Sequence, residues 1–257
     1  LILIIVVLSI GFWHRNETQA EAENKINAQT TTTQTTTTVK ETETIANPQP
    51  TVTEQPVVPT ADETKTTTSA NTTGTDSITI LVNKNHSISA SYVPSDLVTV
   101  DLPSTRDTQL RSVAAEGLAK LFKAAEGAGL ELYCCSGYRS YETQSELYAW
   151  NVDTYGVDGA ELVSARPGMS EHQLGLAMDV TSASVGFDLL ESFGSTSEGQ
   201  FIKENAHKYG FIVRYPQGKT DITGYAYEPW HLRYLGVDVA TEIYNSGKTM
   251  EEYYGTN

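Results

Sequence analysis

The strongest constraint on this chain is a break in its composition near Ser77. Before it, the stretches AQTTTTQTTTTVK and ANPQPTVTEQPVVPTADETKTTTSANTTGTD are built from threonine, proline, and acidic or amide residues, with almost no large apolar side chains. Such a segment cannot bury enough apolar surface to offset its ordering entropy, so residues 17–76 are expected to form a disordered tether. Sixty flexible residues would have an r.m.s. span of about 40 Å and an extended reach of about 200 Å. The apolar pattern begins with SITILVNKNHSIS, which places the folded domain at residues 77–257. A length of roughly 180 residues suits one domain with a real core.

Ahead of the tether stands LILIIVVLSIGFW, thirteen nearly unbroken apolar residues. A membrane-spanning helix needs roughly 20. The chain shows no initiator methionine, so this run is expected to be the tail of a longer one. GFWHRN carries no A-x-A cleavage pattern, and Trp13 suits an interfacial anchor. Residues 1–16 therefore read as an uncleaved membrane signal-anchor, with a cleaved signal peptide as the alternative. Either sends the domain to the extracytoplasmic side of the membrane.

The chain carries a net charge of −15. Residues 1–77 hold 9 acidic and 4 basic residues, which leaves 23 acidic against 13 basic for the domain, near −10. Nucleic-acid binding calls for a basic face, so that partner class is disfavoured. The two cysteines are adjacent, in LYCCSGYRS. Neighbours in one strand point to opposite faces and cannot bridge without severe strain. Cys134 and Cys135 read as buried small apolar residues, with a thiol nucleophile as the alternative.

Along the domain, DTQLRSVAAEGLAKLFKAAEGAG has apolar residues at helical spacing and ends at Gly127 or Gly129. LELYCC reads as a strand. SGYRSYETQSELYAWNVDTYG reads as a helix with Ser140 as N-cap, and DGAELVSA adds a further turn or two. The loop RPGMSEHQ leads into the strand LGLAMDVTS. A helix over TSEGQFIKENAHKYGF closes at Gly210, followed by the strand GFIVRYP, a last strand in YAYEPWHLRYLG and a last long helix in GVDVATEIYNSG. Helices come early and late, and no βαβ rhythm repeats. The expected class is α+β, with a small, mostly antiparallel sheet flanked by helices.

Five histidines are available as metal ligands. His14 sits beside the apolar segment, His86 lies in a polar turn, and His207 falls at a helix C-terminus. These three read as structural or solvated. His172 and His231 lie in the chemically richer stretches SEHQLGLAMD and YEPWHLRY. Asp179 sits among Leu176, Ala177, Met178 and Val180, where an unpaired carboxylate is costly and a metal would satisfy it. A catalytic zinc site offers three ligands from histidine and carboxylate and leaves a position for water. Glu228 precedes His231 by three residues, an offset that in a regular strand sends two side chains to opposite faces. Pro229 between them breaks regular pairing, so both can share one site, with Glu228 as general base.

The run SGYRSYETQ, the stretch SEHQLGLAMDV and the later EPWHLRY together resemble the VanY-type D-alanyl-D-alanine carboxypeptidases and their L,D-carboxypeptidase relatives. These are zinc peptidases of the bacterial cell wall with the Hedgehog/DD-peptidase fold. The resemblance runs from about Ile78 to Gly236. It implies one Zn2+ held by His172, Asp179 and His231, with Glu228 as catalytic base and Arg139 steadying the negative charge on the scissile carbonyl. It further implies that Gln144 and Ser170 hold the region of the substrate's terminal carboxylate and that Tyr215 lies near the substrate. Without it, Arg139 fits a surface ion pair, Gln144 a solvated helix residue, Ser170 a loop hydroxyl and Tyr215 a packed aromatic. The implied partners are peptidoglycan stem peptides, and the expected state is a monomer. The expected bond is D-Ala-D-Ala at a pentapeptide end, with the L,D bond in a tetrapeptide as the alternative, since the pocket loops that choose between them cannot be read from sequence. A catalytically inactive wall-binding domain is the non-enzymatic rival, which the intact ligand set disfavours. A serine D,D-peptidase is disfavoured by the lack of S-x-x-K, and an H-E-x-x-H protease by the lack of that string.

Overall fold

The computed structural model describes Gly74 and residues 76–256. The expected signal-anchor and nearly all of the expected tether lie outside these residues. Among the described residues, no helix is long and apolar enough to cross a membrane.

Strands β1 (Leu97–Thr99) and β2 (Gln109–Arg111) form a small antiparallel pair. Helix α1 (Ser112–Gly127) follows directly. The sequence expectation ran this helix from Asp107. The structure gives Gln109–Arg111 to β2 because their backbone groups are taken by the ladder to β1, and Arg111 is still extended at ψ 144°. Three-residue strands are too short to announce themselves by periodicity.

The main sheet has four strands in the order β3-β4-β6-β5, all antiparallel: β3 (Tyr133–Ser136), β4 (Ala177–Thr181), β5 (Phe211–Tyr215) and β6 (Glu228–Tyr234). Between β3 and β4 runs α2 (Tyr141–Val163), capped by the Ser140 side chain accepting from the Thr143 amide. Gly156, at φ 72°, breaks α2 into the two pieces that the sequence suggested. Helix α3 (Ser197–Asn205) passes through a 3₁₀ turn to Gly210 at φ 88° and into β5. The short α4 (Thr220–Thr223) precedes β6, and α5 (Val237–Ser246) and α6 (Met250–Tyr254) close the domain. Helix α6 was not anticipated.

The two faces of the sheet are chemically unlike. On one, Met178, Val180, Phe211, Leu232 and Tyr234 pack against Ala114, Leu118, Leu121, Phe122 and Ala125 of α1. Each fully buried large side chain there contributes about 1.5–3 kcal/mol. Alternation sends the intervening residues to the opposite face: Asp179 on β4, Arg214 on β5, and His231 and Arg233 on β6. That face carries the chemistry. It is covered by a 3₁₀ turn, Glu171–Leu174, closed by Gly175 at φ 64°, where a Cβ would come within 2.8 Å of Leu97.

Candidate metal centre

Asp179 and His231 are placed by strand register, since they face each other directly across the β4–β6 ladder. His172 comes from the 3₁₀ turn that lies over them. One donor atom from each of His172, Asp179 and His231 lies within 4.8 Å of the others, and all three residues are buried. His172 Nε2 is 3.4 Å from Asp179 Oδ2, and His231 Nδ1 is 3.0 Å from Asp179 Oδ1. The two imidazoles meet edge to face, 4.9 Å apart between centroids.

Both remaining ring nitrogens are engaged away from Asp179. His172 Nδ1 donates to the Gly137 carbonyl at 2.8 Å. His231 Nε2 donates to Glu171 Oε2 at 3.3 Å. Partners of this kind fix the tautomer and ring orientation of a ligating histidine. They leave Nε2 of His172 and Nδ1 of His231 turned towards the one carboxylate, a His₂Asp donor set of the catalytic-zinc type. The residues present fit a single zinc ion.

Glu228 reaches the same site through an irregularity in β6. Val213 faces Leu232 and Tyr215 faces Glu228, so two steps along β5 answer to four along β6. The bulge spans Pro229, which has no amide proton to give the ladder. It turns Glu228 to the face of His231, with Glu228 Oε2 3.8 Å from His231 Nδ1. Burial pushes the Glu228 carboxyl up to about 8, helped by Asp179 and Glu171 and opposed by His231 and Arg139. Burial also works against a charged His231, but its bonds to Asp179 and Glu171 overcome this and raise it to about 10. Burial likewise tends to raise Asp179, and the histidines hold it well below the usual carboxylate range.

Zinc uptake therefore displaces protons. His231 surrenders one at neutral pH, and the Glu228 carboxyl, at about 8, ionises beside a dication. Burial lowers His172, which favours the neutral ring with its one proton on Nδ1 and none on the metal-facing Nε2. The expected result is that zinc affinity climbs with pH between 6 and 9. Calorimetry in buffers of different ionisation enthalpy at pH 7 is expected to count between one and two protons released. A count below one would contradict this charge arrangement.

Arg139 arrives by another route. Ser136 pairs with Asp179 across the β3–β4 ladder, and Arg139 Nη2 donates to Ser136 Oγ at 2.8 Å. Its Nη1 donates to Gln144 Oε1 at 2.7 Å. Gln144 in turn donates through Nε2 to the Ala165 carbonyl at 2.6 Å and the Ser164 hydroxyl at 3.3 Å. Gln144 is thus buried and spent on orienting Arg139, rather than solvated. Ser170 and Tyr215 are buried, and the Tyr215 ring lies 4.9 Å from that of His231. Arg139, Ser170, Tyr215, Glu228 and the three candidate ligands line one cavity of about 230 Å³, together with Leu147, Val163, Leu189, Tyr225 and Trp230. Gln144 stands behind its wall.

The sequence reading missed the buried charges beneath the site. Glu171 is 1 % exposed and pairs with Arg214 and Arg233, both 0 % exposed. The signal was available: Arg214 in FIVRY and Arg233 in HLRY are charged residues inside apolar strands, as Asp179 is. His86 bonds to Asn83, and His207 stacks on Tyr244 at 3.7 Å, both away from the site. His14 lies outside the described residues. Cys134 and Cys135 are free and buried, and burial pushes the Cys134 thiol up to about 12, which leaves it a poor nucleophile.

Residues 107–237 match the VanY family of D-alanyl-D-alanine carboxypeptidases. The chain belongs to the VanY family. Putative carboxypeptidase YodJ of Bacillus subtilis is 46% identical over 184 residues, covering 70% of this chain and 67% of YodJ. Among solved structures, the LD-carboxypeptidase LdcB superposes with a TM-score of 0.68 at 46% identity, over 70% of this chain and 87% of LdcB. A variant of the vancomycin-resistance D,D-pentapeptidase VanY of the VanB-type cassette, in complex with Zn(II), gives 0.57 at 38% identity, over 68% of this chain and 97% of that one. As a VanY-family member the chain has the α+β fold expected of it and is a zinc carboxypeptidase, with His172, Asp179 and His231 forming its candidate metal site.

Proposed function

We propose that this domain removes the C-terminal D-alanine from peptidoglycan stem peptides, with Glu228 as general base and Arg139 as stabiliser of the carbonyl oxygen. The observation that carries the proposal is the β6 bulge. It sets a buried carboxyl with a raised pKa beside a His₂Asp donor set, at the wall of a cavity of about 230 Å³. Zinc bound there supplies Lewis acidity towards water and the scissile carbonyl. Glu228 takes the proton from the attacking water and returns it to the departing D-alanine amine. Arg139, aimed by Gln144 and Ser136, donates to the carbonyl oxygen as negative charge develops on it. Ser170, which lines the cavity, is assigned to the terminal carboxylate, and the Tyr215 ring bounds the pocket. Gln144 acts on substrate through Arg139.

The substrate's position in the wall matches the other readings of the chain. The apolar run LILIIVVLSIGFW anchors it in the cytoplasmic membrane, and the threonine-rich tether lets a monomeric domain reach stem peptides on the extracytoplasmic side.

A second reading has a specific observation behind it. Likeness to LdcB exceeds likeness to the VanY D,D-pentapeptidase in both identity and fold, which favours cleavage of the L,D bond in a tetrapeptide. Both reactions release D-alanine, so purified muropeptides separate them. The expected result is D-alanine release from pentapeptide or tetrapeptide stems, abolished by a zinc chelator and restored by zinc. Release from pentapeptide alone establishes the D,D bond, and release from tetrapeptide alone the L,D bond. Folded, zinc-loaded protein that releases D-alanine from neither would overturn the proposal.

A further inference from the structure

Beneath the metal site lies a chain of buried ionic contacts that peptide hydrolysis does not use. Glu171 divides its two oxygens. Oε2 takes the His231 Nε2 proton at 3.3 Å, and Oε1 accepts from Arg214 Nε and Arg233 Nη1, both at 2.8 Å. Arg214 turns its other two nitrogens to Glu251 on α6, with Nη2 to Oε1 at 2.6 Å and Nη1 to Oε2 at 3.0 Å. Asn83 Nδ2 donates to the same Glu251 Oε1 at 3.0 Å. Arg233 Nη2 donates to the carbonyls of Ile78 and Ile80, at 3.0 and 2.7 Å. The imidazole of His231 is thereby linked to α6 and to the segment Ile78–Asn83, which themselves meet through Asn83 and Glu251.

We propose that Glu171 is a positioning residue that holds His231 with Nδ1 towards the metal, and that through Arg214 and Glu251 it couples zinc affinity to the docking of α6. The inference rests on the reading of His231 as a zinc ligand. Its physical basis is the division of oxygens on Glu171. The guanidiniums lock the carboxylate from one side, so the other oxygen meets the imidazole in one orientation only. A bidentate guanidinium–carboxylate pair is directional, so displacement of Glu251 releases Arg214 and loosens Glu171. A five-residue helix at the end of a domain is an element that can dock and undock as a unit. Coupling between sites is reciprocal, so a metal that favours the docked state is itself bound more tightly in it.

The test uses the full chain. Zinc dissociation constants are measured by competition with a chromophoric chelator for the wild type, Glu171→Gln and Glu251→Ala, with folding checked by circular dichroism. Loss of the imidazole's partner is expected to weaken zinc by about 10–100-fold. Glu251→Ala, far from any ligand atom, is expected to weaken it at least about 5-fold, the lower end of ordinary coupling between sites. Folded variants that bind zinc as the wild type does would overturn the coupling while leaving the zinc reading intact. A wild type that takes up no zinc would overturn both.

Removing a buried carboxylate can unfold a domain, so a second measurement needs no variant. Amide hydrogen exchange on the wild-type chain, with and without zinc, is expected to show protection gained at Met250–Tyr254 beyond that gained along α1. Equal gains, or none at α6, would sink the proposal.

Discussion

Glu228→Gln is expected to lower the rate of D-alanine release by about 10²–10⁴-fold, the usual contribution of a positioned proton-transfer group, while zinc content stays at one ion per chain. The two halves of this expectation separate the roles that a carboxylate at this site could have. Glutamine keeps the shape of the side chain and its place at the β6 bulge but cannot accept a proton from water. If Glu228 were a ligand rather than a base, the substitution would strip the metal along with the activity. The proposed role is the base. His172, Asp179 and His231 supply three donor atoms within 4.8 Å of one another, and Glu228 lines the cavity beside them with 13% of its side chain exposed. Burial raises the carboxyl to about 8 without the metal, and a dication beside it favours the ionised form that can accept a proton. D-alanine release that survives the substitution within a few fold would remove Glu228 from the mechanism.

The parts of this protein that could be read in the sequence were those in which one residue conflicts with its neighbours. Asp179 stood out because a carboxylate inside LGLAMDV needs a partner. Glu228 and His231 stood out because Pro229 between them forbids a regular ladder, and the bulge found there puts both side chains on one face. The break in α2 was visible as Gly156. What stayed hidden was non-local or short. The β1–β2 pair has three residues to a strand, below the length at which alternation can be told from chance. Glu171 was passed over as a loop residue, although it is the hub of the buried charges. Its partners lie 43 and 62 residues away, and only the closed sheet brings them together. The same argument that singled out Asp179 applies to Arg214 and Arg233, and it would have predicted buried partners for both. Helix α6 carried a local signature as well. Thr249 and Glu252 form a capping box, and T-x-x-E can be recognised from sequence.

Arg214→Met is expected to destabilise the zinc-free domain by about 3–5 kcal/mol, the cost of breaking a buried ion pair from one side. In a domain of this size that corresponds to a fall in Tm of about 6–20 °C. The loss of attraction is the smaller part. Arg214 is fully buried and bonds two carboxylates at once, so methionine leaves Glu251 with Asn83 alone and Glu171 with Arg233 and His231. Glu251 then has no cation and must either stay charged without compensation or take up a proton, while Glu171 keeps one guanidinium where it had two. A lysine does not rescue the site. Its single ammonium cannot reproduce a fork that sends Nε to one carboxylate and both Nη atoms to the other. Arg214→Lys is therefore expected to lose most of what Arg214→Met loses. Thermal unfolding in the presence of a chelator checks both, because zinc bound to the folded state would otherwise mask part of the loss. A Tm within about 2 °C of wild type for Arg214→Met, less than 1 kcal/mol on this scale, would mean that the carboxylates find water or new partners. The buried network would then add little to the stability of the fold.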